Sequence, residues 1–587
     1  MDTSAIVDIL LKDHGRDLWS MHFERERSRF LRKAGRTLKS KDLERLVSAI
    51  MEGPPRSMYR SDLSTEQFQE IAEREIWRDL AKLKESGAEL PPVAEQALLD
   101  TESRRGWKLS ADHRDEFPIW TGDIDDLIPS SGSFLERLKQ RTPLEAANLL
   151  ASEKVGRIEL LDAWRTLCAE KPPTLALSIM NALLSQQIYD QEIWRMAFSA
   201  FWGRPEAEWQ PVVWRQLIYI VREFPDPLCL AIANNLSGWM STSAKLLSID
   251  EEPVFWPIWE RFWQLSVQVI ETSSGDPLHA ALNHPSGQLA EAILTRLFKR
   301  KLEKDNGLPG DLRGYFESIG TASGVGGVMG RVILCSRLNN LYLLDRKWTT
   351  EHLLAKLDWK SSEAQSLWHG YLWAPRCSPE LLGAFKKSLL EAIQRGVDFG
   401  EKATNLYRLF IGACIYIEGG FTLQEMRKGI HSLDAKALAE VLRFLSELMR
   451  GAEDKALTLW NEKIATWLQE VWPVTKEKHD ERTSTAAAEM AINGGEAFPL
   501  ILKWASDFLV PSQHIDRLLW QLKESNLTEH YPQQVLKLLS KVVPDNAPSW
   551  AYHGLAEIVQ RMSTGSAELL EQPSYKRLVT LGQKWVA

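Results

Sequence analysis

The chain has 587 residues, of which 44% are hydrophobic and 26% are charged, and it carries a formal net charge of −8. This composition is that of a folded globular protein and excludes a fibrous or disordered chain. The length exceeds what one compact core can hold, so several cores or one elongated core must form. The mild acidity excludes a protein whose whole surface is built to bind polyanions.

Cysteines and hydropathy indicate the compartment. The five cysteines are widely separated and odd in number, so no Cys-x-x-Cys metal or redox motif exists and a reducing compartment is favoured. The first residues lack the pattern of a signal peptide, and no run of about 18 apolar residues occurs. We therefore predict a cytoplasmic protein without a membrane span.

Apolar residues recur at three- and four-residue steps along most of the chain, as one buried helix face requires. The clearest example is residues 65–86, where Phe68, Ile76 and Leu83 belong to one stripe. Further stripes cover residues 289–302, 433–449, 456–468 and 531–543. The best strand candidate, residues 412–421, is too short to be convincing, so the sequence predicts an all-α fold with negligible strand.

Proline and glycine interrupt the helical pattern every 15 to 25 residues, as at Pro91-Pro92 and Pro172-Pro173. Helices of that length, joined in pairs, give units of about 40 residues, the repeat length of HEAT and armadillo solenoids. The 24 tryptophans suit this architecture, because each can fasten one helix to the next. We predict an irregular α-solenoid.

Four regions are predicted along the chain. Residues 1–105 form an N-terminal helical domain with a basic patch, and residues 106–133 an irregular linker that breaks the helical pattern. Residues 134–472 form the helical-repeat body, and residues 473–587 the C-terminal helical repeats.

Motifs for cofactors and catalysis are missing. The glycine-rich residues 323–330 lack the third glycine of a dinucleotide fingerprint and a Walker lysine, so close helix packing explains them better than phosphate binding. His279 and His284 are five residues apart and lie on different faces of a helix, which disfavours a metal site. We predict no cofactor, no metal and no catalytic residue.

One pattern imitates a metal-dependent nuclease. Asp345, followed by Asp358 and Lys360, has the order of acidic and basic residues that such enzymes use. Their carboxylates stand on paired strands beside a metal, whereas the flanks here are predicted to be helical. A cryptic nuclease is therefore the third hypothesis for this chain.

A basic cluster occupies residues 25–60 of an otherwise acidic chain. Its members can form a solvated helix face, dock an acidic partner or neutralise nucleic-acid phosphates. The candidate binding residues are Arg25, Arg27, Arg29, Arg32, Lys33, Arg36, Lys39 and Lys41. Nucleic-acid binding through this patch is the second hypothesis.

Four short runs carry a resemblance to a known family: LNHPSGQLAE at residues 282–291, LNNLYLLDRKW at 338–348, LDW at 357–359 and WHGYLWAPR at 368–376. Together they resemble the helical C-terminal region of large bacterial anti-phage defence proteins, some of which carry a sirtuin-like NAD-hydrolase domain at the N-terminus. The similarity is best over residues 256–390. No sirtuin-type Gly-Ala-Gly-x-Ser loop is found, so no catalytic residue of that family is carried over.

The resemblance implies the sensing or scaffolding part of a defence system, with the effector encoded separately. The first hypothesis is therefore a non-enzymatic helical-repeat protein that binds partner proteins, encoded by neighbouring genes, and relays the event to that effector. The residues expected to contact a partner are His284, Trp348, Trp359, Trp368, Trp373 and Arg376.

Overall fold

A computed structural model describes residues 3–12, 17–20, 24–59, 63–109, 132–154, 156–202, 210–270, 275–546, 552–565 and 567–586. These residues form helices and turns, and the described ranges contain no strand. The prediction of an all-α fold is confirmed. The chain divides into two compact units, Met1–Ser266 and Val267–Ala587.

The first unit begins with helices that carry the basic cluster and continues into the repeats. Its helices are α1 (Thr3–Leu10), α2 (Glu24–Ala34), α3 (Ser40–Glu52), α4 (Thr65–Glu85), α5 (Pro92–Arg105), α6 (Gly132–Lys139), α7 (Pro143–Ser152), α8 (Arg157–Cys168), α9 (Thr174–Ser185), α10 (Gln191–Phe201), α11 (Gln210–Arg222), α12 (Asp226–Ala231), α13 (Ala233–Leu246) and α14 (Glu252–Ser266).

The second unit contains the segments that carry the family resemblance. Its helices are α15 (Pro277–Asn283), α16 (Pro285–Phe298), α17 (Gly310–Thr321), α18 (Gly324–Cys335), α19 (Leu338–Leu344), α20 (Arg346–Thr349), α21 (Ala355–Leu357), α22 (Ala364–Tyr371), α23 (Pro379–Gln394), α24 (Ala403–Tyr416), α25 (Leu423–His431), α26 (Ala435–Ala452), α27 (Ala456–Leu459), α28 (Ala465–Val471), α29 (Glu481–Asn493), α30 (Phe498–Ala505), α31 (Asp516–Glu524), α32 (Leu527–His530), α33 (Pro532–Val542), α34 (Leu555–Gly565) and α35 (Pro573–Val586).

Short 3-10 and π segments connect or extend these helices. The π segments Thr350–Leu354 and Trp460–Ile464 join α20 to α21 and α27 to α28. The 3-10 segments are Asp17–Trp19, Arg56–Met58, Ile249–Glu251, Gly396–Lys402, Glu453–Lys455, Lys476–Lys478, Gly495–Ala497 and Ala567–Leu569.

Helices alternate between two layers in each unit. In the first unit α6, α8, α10 and α13 pack side by side, as do α7, α9 and α11. In the second, α16, α18 and α22 form one row and α24, α26 and α29 another, while α19, α23, α25 and α28 form the opposite layer. Packing between next-but-one helices is the arrangement of an α-solenoid, so the predicted fold class is confirmed.

Local sequence signals explain where the helices begin. The side chains of Ser64 and Thr142 accept hydrogen bonds from the backbone N–H groups of the third residues of α4 and α7. In return, the side chains of those third residues, Gln67 and Glu145, accept from the backbone N–H groups of Ser64 and Thr142. Pro92 and Pro143 stand in the first turn, where no N–H partner is needed. The stripe predicted at residues 289–302 lies four residues too late, because Pro285 starts α16 and the helix ends at Phe298.

Tryptophans fasten helices as predicted. The indole N–H of Trp164 in α8 donates to the backbone oxygen of Ile193 in α10, at 3.0 Å. Trp368 in α22 is fully buried and stacks on Phe385 of α23. Such aromatic contacts carry large apolar areas from one helix into the next.

Glycines permit two close helix approaches in the second unit. A β-carbon at Gly326 would lie 2.7 Å from the α-carbon of Val267, which explains the small residues of segment 323–330 by packing. A β-carbon at Gly370 would overlap the carbonyl oxygen of Val332, so α18 and α22 touch through their backbones.

The sequence-predicted regions remain predictions. Most of the expected linker at residues 106–133 lies outside the described residues, which stop at 109 and resume at 132. The division between the units falls after Ser266, inside the region predicted as one repeat body.

Candidate partner-binding pocket

A pocket of about 300 Å³ forms where α16, α18 and α22 end. These helices belong to one row, so their C-terminal ends lie along the same edge of the second unit. The lining residues are Phe298, Ser336, Arg337, Leu338, Asn339, Asn340, Tyr371, Ala374 and Arg376. Of the residues predicted to contact a partner, Arg376 lines this pocket, and Trp373 lies beside Ala374 in the same loop.

The loop between α22 and α23 is held by three hydrogen bonds. The Tyr371 hydroxyl donates to the Arg376 backbone oxygen at 2.8 Å, and the Ser378 N–H donates to the Asn339 side-chain oxygen at 2.8 Å. The Asn405 amide donates to the Leu372 oxygen at 2.9 Å. The loop that carries Trp373 is therefore fixed at its start, at its end and across its width.

Two aromatic side chains are exposed at this edge. Trp373 is 48% exposed and Phe298 is 38% exposed, in a chain whose other large side chains are mostly buried. Exposed aromatic residues on a fixed surface are the typical anchors of protein interfaces.

The pocket is positively charged. Arg337 and Arg376 are both exposed and line it, and its lining contains no aspartate or glutamate. Within the described part of the chain, neither guanidinium group has a carboxylate in ion-pair distance. Nearby arginines differ: Arg331 pairs with Glu363 at 2.8 Å and Arg313 with Asp345 at 2.6 Å.

Three of the predicted partner-binding residues are core residues, and the prediction is wrong for them. His284 is 2% exposed, and its Nδ1 accepts a hydrogen bond from the Ser286 N–H at the start of α16. Its Nε2 lies 3.1 Å from the Val269 oxygen, and burial lowers the pKa of its imidazole. Trp348 and Trp368 are 1% and 0% exposed. None of these side chains reaches a surface.

Trp359 is half-buried and lies away from the pocket lining. Its indole N–H donates to the Ser388 oxygen at 3.0 Å, and the Arg395 guanidinium lies 4.8 Å from its ring centroid. It stacks on Trp368, so its main contacts join α22 and α23.

The basic cluster is largely used inside the first unit. Arg27 is 2% exposed, pairs with Glu75 and Asp79 of α4 at 3.4 Å each, and donates to the Leu18 oxygen. The Arg32 side chain is 6% exposed and pairs with Glu85 at 2.9 Å. The prediction that these two arginines bind nucleic acid or a partner is wrong, because they join α2 to α4.

The remaining basic residues face solvent. Arg29, Lys33, Arg36, Lys39 and Lys41 are exposed, while the side chain of Arg25 lies outside the described residues. Their role in binding nucleic acid or an acidic partner stays a prediction.

The residues of the nuclease pattern serve as helix caps and turn residues. Asp345 is 8% exposed and accepts hydrogen bonds from Arg313, the Leu308 N–H and the Trp348 N–H. Asp358 accepts from the N–H of Lys360 at 2.9 Å, as in a turn. The described residues hold no group of three His, Cys, Asp or Glu side chains that could bind a metal ion.

A second cavity, of about 1170 Å³, lies in the first unit between α4, α5, α8 and α10. Glu70, whose side chain is 12% exposed, lines this cavity, and the carboxyl group of Glu159, which is 3% exposed, neighbours it. Burial and the neighbouring Glu159 raise the pKa of Glu70 to about 7, so the Glu70 carboxyl group is partly protonated near neutral pH. Arg105 lies 4.0 Å from Glu70 and bonds mainly to Glu73.

The sequence alone did not reveal Phe298, Arg337 or Asn340. Phe298 ends α16, Arg337 lies between α18 and α19, and Asn340 lies in the first turn of α19. Only the packing of three neighbouring helix ends brings them together. The one available signal was position: Arg337 and Asn340 lie in or beside the run at residues 338–348.

No family model and no curated protein sequence matches this chain. Among solved structures, the chain is similar to the condensin Cnd3–Cnd2 subcomplex of S. pombe at 11% identity and a TM-score of 0.21, covering 100% of this chain and 99% of that chain. It is also similar to a circular tandem repeat protein with novel repeat topology at 12% identity and a TM-score of 0.11, covering 100% and 94%. At these TM-scores neither likeness bears on function. The helices of the described residues include none that is long and apolar enough to cross a bilayer.

Proposed function

We propose that this chain is a non-enzymatic helical-repeat scaffold or sensor that binds a partner protein at the pocket formed by the ends of α16, α18 and α22. The observation that carries the proposal is the fixed loop that displays Trp373 and Arg376 beside the unpaired Arg337. Tryptophan and arginine are the residues most enriched in interface hot spots.

We further propose that the chain belongs to a multi-protein bacterial anti-phage defence system and couples partner binding to a separate effector. The support is the sequence resemblance at residues 282–291, 338–348, 357–359 and 368–376. Two of these runs contribute residues to the pocket: Asn340 comes from the second and Arg376 from the fourth. The distinctive sequence and the candidate surface therefore coincide.

A co-purification experiment tests both statements. The tagged full chain is expressed with its neighbouring genes, and its partners are compared among wild type, Trp373→Ala and the control Trp520→Ala. Trp520 is 61% exposed on α31 and lies outside the pocket. We expect a neighbouring gene product to be recovered with wild type and the control and to be lost with Trp373→Ala. Recovery with all three proteins would exclude this pocket as the binding site.

Protection against phage is the second readout. Plaque counts on cells that carry the whole gene cluster should rise when Trp373→Ala replaces wild type and should stay low with Trp520→Ala. Equal plaque counts with and without an intact gene cluster, over a panel of phages, would count against the defence role while leaving partner binding intact.

Nucleic-acid binding is a second candidate, favoured by the exposure of Lys33, Lys39 and Lys41 in the first unit. Binding to DNA or RNA should weaken steeply with salt and should be lost when these lysines are changed to glutamate. Binding that is absent at low salt, or unchanged in the triple variant, excludes this candidate.

A further inference from the structure

We propose that the pocket recognises an acidic segment of the partner protein, in which an aspartate or glutamate carboxylate lies between Arg337 and Arg376. An apolar side chain next to that acidic residue packs against Trp373 and Phe298. This inference rests on the proposed function, because it names the chemistry of the partner at the same site.

The charge of the pocket selects an anion. Two guanidinium groups line one small cavity without a carboxylate among the lining residues, although most arginines around it are ion-paired. Like charges held on one surface repel each other, and a carboxylate between them removes that repulsion. Arginine also offers paired N–H donors that match the two oxygens of a carboxylate. The amide of Asn340, exposed at the same pocket, adds a further donor.

The size of the pocket favours a peptide over a nucleic acid. A volume of about 300 Å³ accommodates one or two side chains. Its two cations are few for nucleic acid, since proteins that bind DNA through phosphates typically use about 6 to 10 contacts. The apolar part of the edge, Phe298 and Trp373, has no use in phosphate binding but suits an aliphatic or aromatic side chain.

The pocket is also prepared for binding before the ligand arrives. Arg376 lies in the loop that is held by hydrogen bonds from Tyr371 and Asn405 and to Asn339. Arg337 lies just after the end of α18, which packs on both α16 and α22. Because the loop is already ordered, binding loses little conformational entropy, and the affinity for the partner is higher for the same contacts.

A displayed library of random peptides tests this inference with the full chain. Peptides are selected on wild type, and the affinities of the enriched peptides are measured for Arg337→Ala, Arg376→Ala and the control Arg450→Ala. Arg450 is exposed at the end of α26 and lies outside the pocket lining. We expect the enriched peptides to share an acidic residue next to an apolar one. Each pocket variant should weaken binding by about 10-fold, the size expected for one charge-assisted hydrogen bond, and the control should not.

Several results would overturn the inference. Enriched peptides without acidic residues, no enrichment on wild type, or equal affinity for wild type and both pocket variants would each do so. Competition by single-stranded DNA as strong as that by the acidic peptide would assign the pocket to nucleic acid instead. If co-purification is lost with Trp373→Ala but retained with the Arg337→Ala, Arg376→Ala double variant, the proposed function stands and only the acidic partner is excluded.

Discussion

The basic N-terminal helices and the pocket at the ends of α16, α18 and α22 hold the same type of residue in opposite circumstances. In α2, Arg27 and Arg32 belong to a segment rich in basic residues, yet both form ion pairs with carboxylates of α4. At the pocket, Arg337 and Arg376 are isolated in sequence, yet they converge on one cavity with no carboxylate in its lining. The number of cations in a segment therefore says less about binding than the acids that face them.

The difference has a physical cause. A buried arginine loses its contacts with water, and this loss is tolerated only where carboxylates and carbonyl oxygens take the place of the water. Buried arginines are therefore found paired with acidic residues. An arginine at a helix end is solvated, needs no internal partner and stays available. The predictions below break or sharpen this contrast.

The largest effect is expected for Arg27→Ala. The change leaves the fully buried Asp79 with its nearest cation removed, and breaking a buried pair in this way costs about 4 kcal/mol. Arg376→Ala should alter the free energy of unfolding by less than about 0.5 kcal/mol. Urea unfolding followed by circular dichroism measures both. Equal, small effects would mean that the α2 arginine is not structural.

Trp368 and Trp373, five positions apart, should separate stability from binding. Trp368→Ala removes a fully buried ring that contacts Tyr371 and Phe385, and we expect a loss of about 3 kcal/mol. Trp373→Ala, with nearly half of the side chain exposed, should cost less than about 1 kcal/mol and yet abolish partner recovery. Thermal unfolding and co-purification report the two effects. A severe loss of stability with Trp373→Ala would make it a core residue.

The smallest effect concerns pH. Because the pKa of Glu70 is raised to about 7, the folded protein keeps a proton that the unfolded chain releases near its ordinary pKa of 4.5. The stability from this group is therefore complete below about pH 4.5 and is lost as pH rises through about 7. Glu70→Gln cannot ionise, so the difference in melting temperature between variant and wild type should grow in favour of the variant over that interval.

Exposed Glu89→Gln is the matched control and should leave the pH profile unchanged. A wild-type profile that is flat between about pH 4.5 and pH 7, or one that Glu70→Gln reproduces, contradicts the raised pKa of Glu70.

Periodicity was sufficient to predict the helices, because an amphipathic stripe determines which face is buried. The helix predicted from the stripe at residues 65–86 agrees with the bounds of α4, Thr65–Glu85, to within one residue. Of the residues predicted to bind a partner, Trp373 and Arg376 lie exposed at a common edge, whereas His284, Trp348 and Trp368 are buried. All five lie in distinctive runs of sequence, but whether a side chain points into the core depends on neighbouring helices, which periodicity does not specify.

Gly370 gives the pocket a property that its lining does not explain. Since α18 and α22 meet there through backbone atoms, the spacing between the segments that carry Arg337 and Arg376 is fixed by the absence of a single methyl group. An alanine at this position would force the two helix ends apart and so move the lining residues without changing any of them. The selectivity of the proposed pocket therefore depends partly on Gly370, which does not line it. A search for the same pocket in related chains should require a glycine at this position as well as the two arginines.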